Sequence, residues 1–154
     1  MSRNTWIGAR NETFGRGSVT GASRANSQNT TVIAKPFVEL EASAPQLVAK
    51  TLTSGAKATG SVTLKNNGNS PAKGTINIDV IGRNGAGQDV ALGTATAKAN
   101  IKAGAIKITK FKLTLASGIT PGNYTLVLNV DPANVLGDPN TANNTVVGNA
   151  ITIS

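Results

Sequence analysis

The sequence predicts an all-β protein: an immunoglobulin-like antiparallel β-sandwich of about seven to eight strands with an N-terminal extended arm. Three observations predict it. Short runs alternate apolar and polar residues, as in Tyr124, Leu126, Leu128 and Val130 against Thr125, Val127 and Asn129. Turn residues (Gly, Pro, Asn, Asp) punctuate the chain about every ten residues. No stretch carries a helical period.

The elements follow in order. Residues 1–30 are rich in Gly, Ser, Asn, Thr and Arg without a sustained period, which reads as an arm. Trp6 within it reads as an intramolecular plug, because an exposed indole lowers solubility. Val32, Ile33, Phe37, Val38 and Leu40 suggest one or two short strands broken at Pro36, and Ala44-Pro45 marks a turn. The expected division is therefore 1–44 as arm and 45–154 as sandwich. Within the sandwich, residues 47–52 form the first strand and 58–64 the second, ending at the turn 66–71. In 74–81, Ile76, Ile78 and Val80 alternate with Thr75, Asn77 and Asp79. The turn 83–87 leads to a strand over 90–97. Ile106, Ile108 and Lys110 then lie opposite Lys107, Thr109 and Phe111, in a strand continuing through Leu113 and Leu115. Pro121-Gly122 opens a long closing hairpin, 122–130 with 146–153, joined by an Asn/Asp/Pro-rich corner over 131–144.

Composition excludes several kinds of chemistry. The chain has no Cys and no His. Disulfides, thiolate metal sites, cysteine nucleophiles, the usual general base and the commonest zinc ligand are therefore all missing, and the reading is not an enzyme and without cofactor. The formal charge is +8 and the isoelectric point about 10.2, which permits polyanionic partners. Four of the five arginines, Arg3, Arg10, Arg16 and Arg24, stand in the arm and make the candidate polyanion site there. The lysines are spread along the strands, as on solvated faces and guarded edges. With few aromatic residues (Trp6, Phe14, Phe37, Phe111, Tyr124), no base-stacking platform is expected and nucleic acid is not the expected partner. No apolar run has the length of a membrane span, and the N-terminus lacks the apolar core of a secretory signal.

Several residues carry the candidate sites. Asp131, Asp138 and Asn140 gather oxygen donors suited to Ca²⁺, but two carboxylates without a calcium-loop spacing fit turn chemistry better, so no metal is assigned. Asn143 and Asn144 belong to the same structural corner. Tyr124, early in the penultimate strand, is placed to tie down a neighbouring corner through its hydroxyl. Asp79 and Asp89 do not make a glycosidase pair, since Asp79 alternates with core residues and no sugar platform accompanies it. Residues 82–87 are Gly-rich but lack a phosphate-loop Lys-Ser/Thr and precede no helix, so they are a turn. Val32, Ile33, Phe37 and Leu40 are the interaction candidates: an apolar segment expected to dock on a sheet edge of its own domain or of a neighbour's.

A family resemblance rests on Val62-Thr63-Leu64-Lys65-Asn66-Asn67-Gly68-Asn69-Ser70-Pro71-Ala72, Ile101-Lys102-Ala103-Gly104, Pro121-Gly122-Asn123-Tyr124-Thr125-Leu126, Val130-Asp131-Pro132 and Asn140-Thr141-Ala142-Asn143-Asn144. In this order they resemble CARDB, the cell adhesion related domain found in bacteria, over 45–154. One departure is Gly137, near the place where many members carry Glu. The resemblance implies a non-enzymatic extracellular or cell-surface structural module, a spacer or binding domain with neighbouring modules as partners, while the arm allows copies of itself and the positive charge allows a polysaccharide or other polyanion.

The chain also resembles itself. Asn26-Ser27-Gln28-Asn29-Thr30-Thr31-Val32-Ile33 aligns with Asn140-Thr141-Ala142-Asn143-Asn144-Thr145-Val146-Val147, about one module away. The arm is then either the remnant of a preceding repeat or a donor strand for a neighbouring copy, the second reading making the protein a fibre, sheath or capsid-like subunit.

Overall fold

A computed structural model describes residues 32–154. Trp6, the arginines Arg3, Arg10, Arg16 and Arg24, and residues 26–31 of the self-similar stretch lie outside the described residues. The folded unit is Pro36–Ser154. Its strands are β1 (Leu40–Leu47), β2 (Thr51–Leu52), β3 (Lys57–Asn66), β4 (Ala72–Arg83), β5 (Asp89–Ile101), β6 (Ile106–Thr114), β7 (Gly122–Val130) and β8 (Thr145–Ile153), with one 3₁₀ turn at Thr141–Asn144 before β8. The protein is nearly all-β, as its alternating pattern predicts.

The strands form two sheets, β2-β8-β7-β4-β5 and β1-β3-β6. All pairings are antiparallel except the short β2–β8 contact, where Thr51 and Leu52 run parallel to Thr152 and Ile153. The alternation sends one residue in two into the space between the sheets. Val62 and Leu64 of β3, Ile76, Ile78 and Val80 of β4, and Leu126, Leu128 and Val130 of β7 are all fully buried there. Burying side chains of this size removes on the order of 2 kcal/mol each of unfavourable hydration, which makes this layer the main source of stability.

Several boundaries differ from the sequence reading. The expected first strand over 47–52 is split between the two sheets: Leu47 ends β1, residues 48–50 cross over, and β2 joins the larger sheet. Ala44-Pro45 is not the turn into the domain. It is a bulge inside β1, where the register against β3 shifts between Ser43 and Gln46, and Ala44 takes a φ of 48°. A bulge and a turn use the same residues, so local composition did not separate them. The folded unit therefore begins at Pro36, ahead of the expected boundary at 45. β5 runs on to Ile101, past the expected end at 97.

Two glycines permit close approaches, Gly60 within the β1-β3-β6 sheet and Gly148 between the sheets. A Cβ on Gly60 would stand 2.5 Å from Phe111 Cζ and 2.7 Å from the carbonyl oxygen of Gln46. Gly148 sits at the bulge of β8, where the register shifts between Val147 and Ala150, and a Cβ there would stand 2.9 Å from the carbonyl oxygen of Pro45. The β1 and β8 bulges thus meet through a residue without a side chain.

Candidate interaction surfaces and the polar corner

The Asp/Asn-rich corner between β7 and β8 is held by side-chain to backbone hydrogen bonds centred on Asp131, Asn134 and Asp138. Asp131 takes a φ of 51°, and its carboxylate accepts from the N–H groups of Val135 (2.9 Å, Oδ1) and Leu136 (3.1 Å, Oδ2). Asn134 also has a φ of 51°; its Oδ1 accepts from the Asp138 N–H at 2.7 Å and its Nδ2 donates to the Asp138 carbonyl at 3.0 Å. Asn and Asp supply both the left-handed backbone and the local acceptors that such a corner needs. Asp138 reaches furthest. Its Oδ1 accepts from the Asn140 N–H at 2.8 Å, and its Oδ2 accepts from the Leu40 N–H at 2.9 Å and from Asn144 Nδ2 at 3.0 Å.

Asp131 and Asp138 are buried, and all four of their carboxylate oxygens accept protein N–H groups. The Asn140 side chain turns away to Glu39, donating from Nδ2 to Oε2 at 3.3 Å, beside Asn143 Nδ2 at 3.0 Å. The three Ca²⁺ candidates are therefore spread over separate hydrogen-bonding tasks. Among the described residues there is no group of three or more His, Cys, Asp or Glu able to hold a metal ion. The amide oxygens of Asn143 and Asn144 are buried without a partner among the described residues.

Tyr124 is buried, and its hydroxyl donates to the Thr120 carbonyl at 2.7 Å, fixing the turn that enters β7. A Cβ on Gly82 would stand 3.1 Å from Tyr124 Cδ1, so the ring lies against the β4 backbone.

Asn66 is a second node that sequence reasoning treated only as part of a turn. It is fully buried, and all its capacity is used: Oδ1 accepts from Glu39 N–H (3.2 Å) and Gly68 N–H (3.0 Å), while Nδ2 donates to the carbonyls of Ser70 (2.8 Å) and Ile101 (3.2 Å). A single Asn amid a turn run gives no signal of burial; its position as the last residue of an alternating strand was the available one.

The interaction candidates separate into two pairs. Val32 and Ile33 are exposed, at 86% and 84%. Phe37 and Leu40 belong to the folded unit itself. Leu40 is fully buried as the first residue of β1, and Phe37 is strapped to the turn after β3, its N–H donating to Asn69 Oδ1 at 2.9 Å and its carbonyl accepting from the Ser70 N–H at 3.0 Å. Of the two expected dockings, on a sheet edge of the same domain or of a neighbour's, Phe37 and Leu40 make the first. β1 pairs with β3 of its own domain, which satisfies that segment's backbone.

On β6 the residues facing inward are Thr109, Phe111 and Leu113, while Ile106 and Ile108 are 64% exposed on the outer face. The edges of the two sheets, β5 and β6, lie side by side and leave a groove of about 700 Å³, bordered by Lys57, Thr59, Thr94, Thr96, Lys112 and Thr114. It extends past Lys110. At the far end of the β4–β5 hairpin, Arg83 and Asp89 form a two-point ion pair (Nε to Oδ1 2.6 Å, Nη2 to Oδ2 2.9 Å). Hydrogen bonding to Asp89 raises the Arg83 pKa, and hydrogen bonding from Arg83 holds the Asp89 carboxyl below its ordinary value.

Comparison with known proteins adds the family. The CARDB family model matches residues 38–148, well over half of the chain. No curated protein matches the sequence. Among solved structures, the chain is similar to the crystal structure of the CARDB domain of the PF1109 protein from Pyrococcus furiosus in complex with di-metal ions: 16% identity, 79% of this chain and 97% of that one, TM-score 0.49. The solution NMR structure of the same domain gives 17% identity, 77% and 97% coverage and a TM-score of 0.47. A mutant β-glucosidase from Listeria innocua in complex with laminaribiose gives 19% identity and a TM-score of 0.47, over 79% of this chain and 17% of that one.

Proposed function

The chain belongs to the CARDB family, and from that premise we propose that it is a non-enzymatic adhesion-type module of an extracellular or cell-surface protein. The observation that carries this reading is the state of the polar corner. The carboxylates of Asp131 and Asp138, which would have to carry a catalytic or metal site here, accept N–H groups from their own chain, and that of Asp138 ties β1 to the 3₁₀ turn. Their work is to hold geometry. A module of this kind acts as a spacer of fixed shape and presents its edges and outer faces to protein partners.

A second reading, self-assembly through the N-terminal arm by strand exchange, is favoured by one observation, the exposure of Val32 and Ile33 just ahead of the folded unit. Exposed β-branched residues at that place suit pairing with a sheet edge of another copy. Sedimentation velocity of the full chain over a wide concentration range separates the two readings. The spacer reading expects one monomeric species throughout. A larger species that Val32→Asp with Ile33→Asp dissolves would establish the assembly reading.

A further inference from the structure

β3 and β6 together carry five lysines, Lys57, Lys65, Lys107, Lys110 and Lys112, and no Asp or Glu. Three of them share one end of the outer face. Lys57 pairs in register with Thr114, Thr59 with Lys112 and Ser61 with Lys110. Lys112 is therefore the diagonal neighbour of Lys57 and lies two residues from Lys110, which sets the three stems in a row with steps of about 7 Å. All three are exposed and border the groove between β5 and β6. The other end of this face differs: Lys65 lies opposite Glu41 of β1. On the β5 side Asp79 touches the groove's border, its Oδ1 accepting from Thr94 Oγ1 at 2.9 Å.

We infer that the groove between edge strands β5 and β6 binds an extended anionic polysaccharide, with Lys57, Lys110 and Lys112 meeting successive carboxylate or sulfate groups. Exposed hydroxyls of Thr59, Thr96 and Thr114 between the ammonium groups supply neutral partners for sugar hydroxyls. A row of like charges without counter-acids is self-repelling, and a polymer whose anionic groups recur along its length neutralises it while releasing counterions. The aromatic rings of the folded unit give no stacking platform: Phe111 and Tyr124 are buried, and Phe37 is held at the turn after β3. That removes base stacking, by which single-stranded nucleic acid is held, and leaves charge and hydroxyl contacts to hold the ligand. The chain's own N-terminal arm, with Arg3, Arg10, Arg16 and Arg24, has the wrong sign for this groove. The inference goes beyond the module reading and does not depend on whether the arm assembles.

The test is isothermal titration of the full-length protein with oligogalacturonate, alongside neutral dextran, poly(dT) and polyglutamate of similar length. Oligogalacturonate is expected to bind best and dextran not at all. Lys57→Gln, Lys110→Gln and Lys112→Gln together are expected to weaken binding at least about tenfold and to flatten its salt dependence. Replacement of the three by Arg should retain it, and Gln at the four arm arginines should leave it unchanged. Retention of the Arg variant shows that loss in the Gln variant is loss of charge and not of fold. The inference is overturned if oligogalacturonate does not bind, if the Gln groove variant binds as well as the parent, if only the arm variant loses binding, or if poly(dT) or polyglutamate binds as tightly.

Discussion

The Asp138 side chain accepts a hydrogen bond from the backbone N–H of Leu40 at 2.9 Å, across 98 positions of sequence. That bond fastens the first strand of one sheet to the corner that closes the other. The same carboxylate accepts from Asn140 N–H and Asn144 Nδ2, so one buried residue sets where β1 begins and where the 3₁₀ turn before β8 lies. Asp138→Ala leaves three donors without their acceptor and is expected to cost about 3 kcal/mol, with Asp138→Asn falling between it and the parent. Urea denaturation of the three proteins checks this through the shift in midpoint at constant slope.

The corner is also expected to ignore calcium. Because the carboxylates of Asp131 and Asp138 are engaged with N–H donors, EDTA should leave the melting temperature nearly unchanged and millimolar Ca²⁺ should not raise it. Specific binding to the native state must stabilise it by mass action, so a rise of several degrees by differential scanning fluorimetry would reassign the corner as a metal site.

Gly60 and Gly148 are expected to resist substitution for a reason unrelated to backbone freedom. Gly148→Ala drives a methyl toward the Pro45 carbonyl, and Gly60→Ala drives one toward the Phe111 ring and the Gln46 carbonyl. Each should lose about 1–3 kcal/mol by overpacking, read from thermal or chemical denaturation. Gly85→Ala, with open space at its Cβ, is the control and should change little.

The Arg83–Asp89 pair gives a small, signed pH effect. The Asp89 carboxyl titrates lower in the folded state than in the unfolded chain. Its contribution is therefore present above the unfolded value of about 3.9 and is lost as pH falls through the lower folded value. Both groups are well exposed, so screening keeps the contribution small. Comparing melting temperatures of the parent and Asp89→Asn from pH 6 downward should show the gap closing only below the ordinary carboxylate range; a gap that persists unchanged would contradict the assignment.

Legibility in the sequence followed the physics of each element. The strands that alternate cleanly, such as β4 with Ile76, Ile78 and Val80 or β7 with Tyr124, Leu126 and Leu128, were readable because one face is buried and period-two patterning is a local property. β1 was not, because Ala44 and Pro45 interrupt it with residues that serve a bulge as readily as a turn. That Leu40 docks within its own domain and not a neighbour's was not readable, because its partners, Asp138 and β3, are distant in sequence. The Tyr124 hydroxyl bond to Thr120 lies within four residues and was accessible to local reasoning. The groove between β5 and β6 was not, since it exists only where two sheets bring Lys57, Thr96 and Lys112 together.

The chain from Pro36 onward is a self-contained module that acts as a single unit. Static light scattering with thermal unfolding, on the full chain and on the fragment 36–154, tests it most directly. A monomeric mass for both and the same cooperative melt are expected. A full chain that is oligomeric and becomes monomeric when residues 1–35 are removed, or a fragment that fails to melt cooperatively, would contradict it.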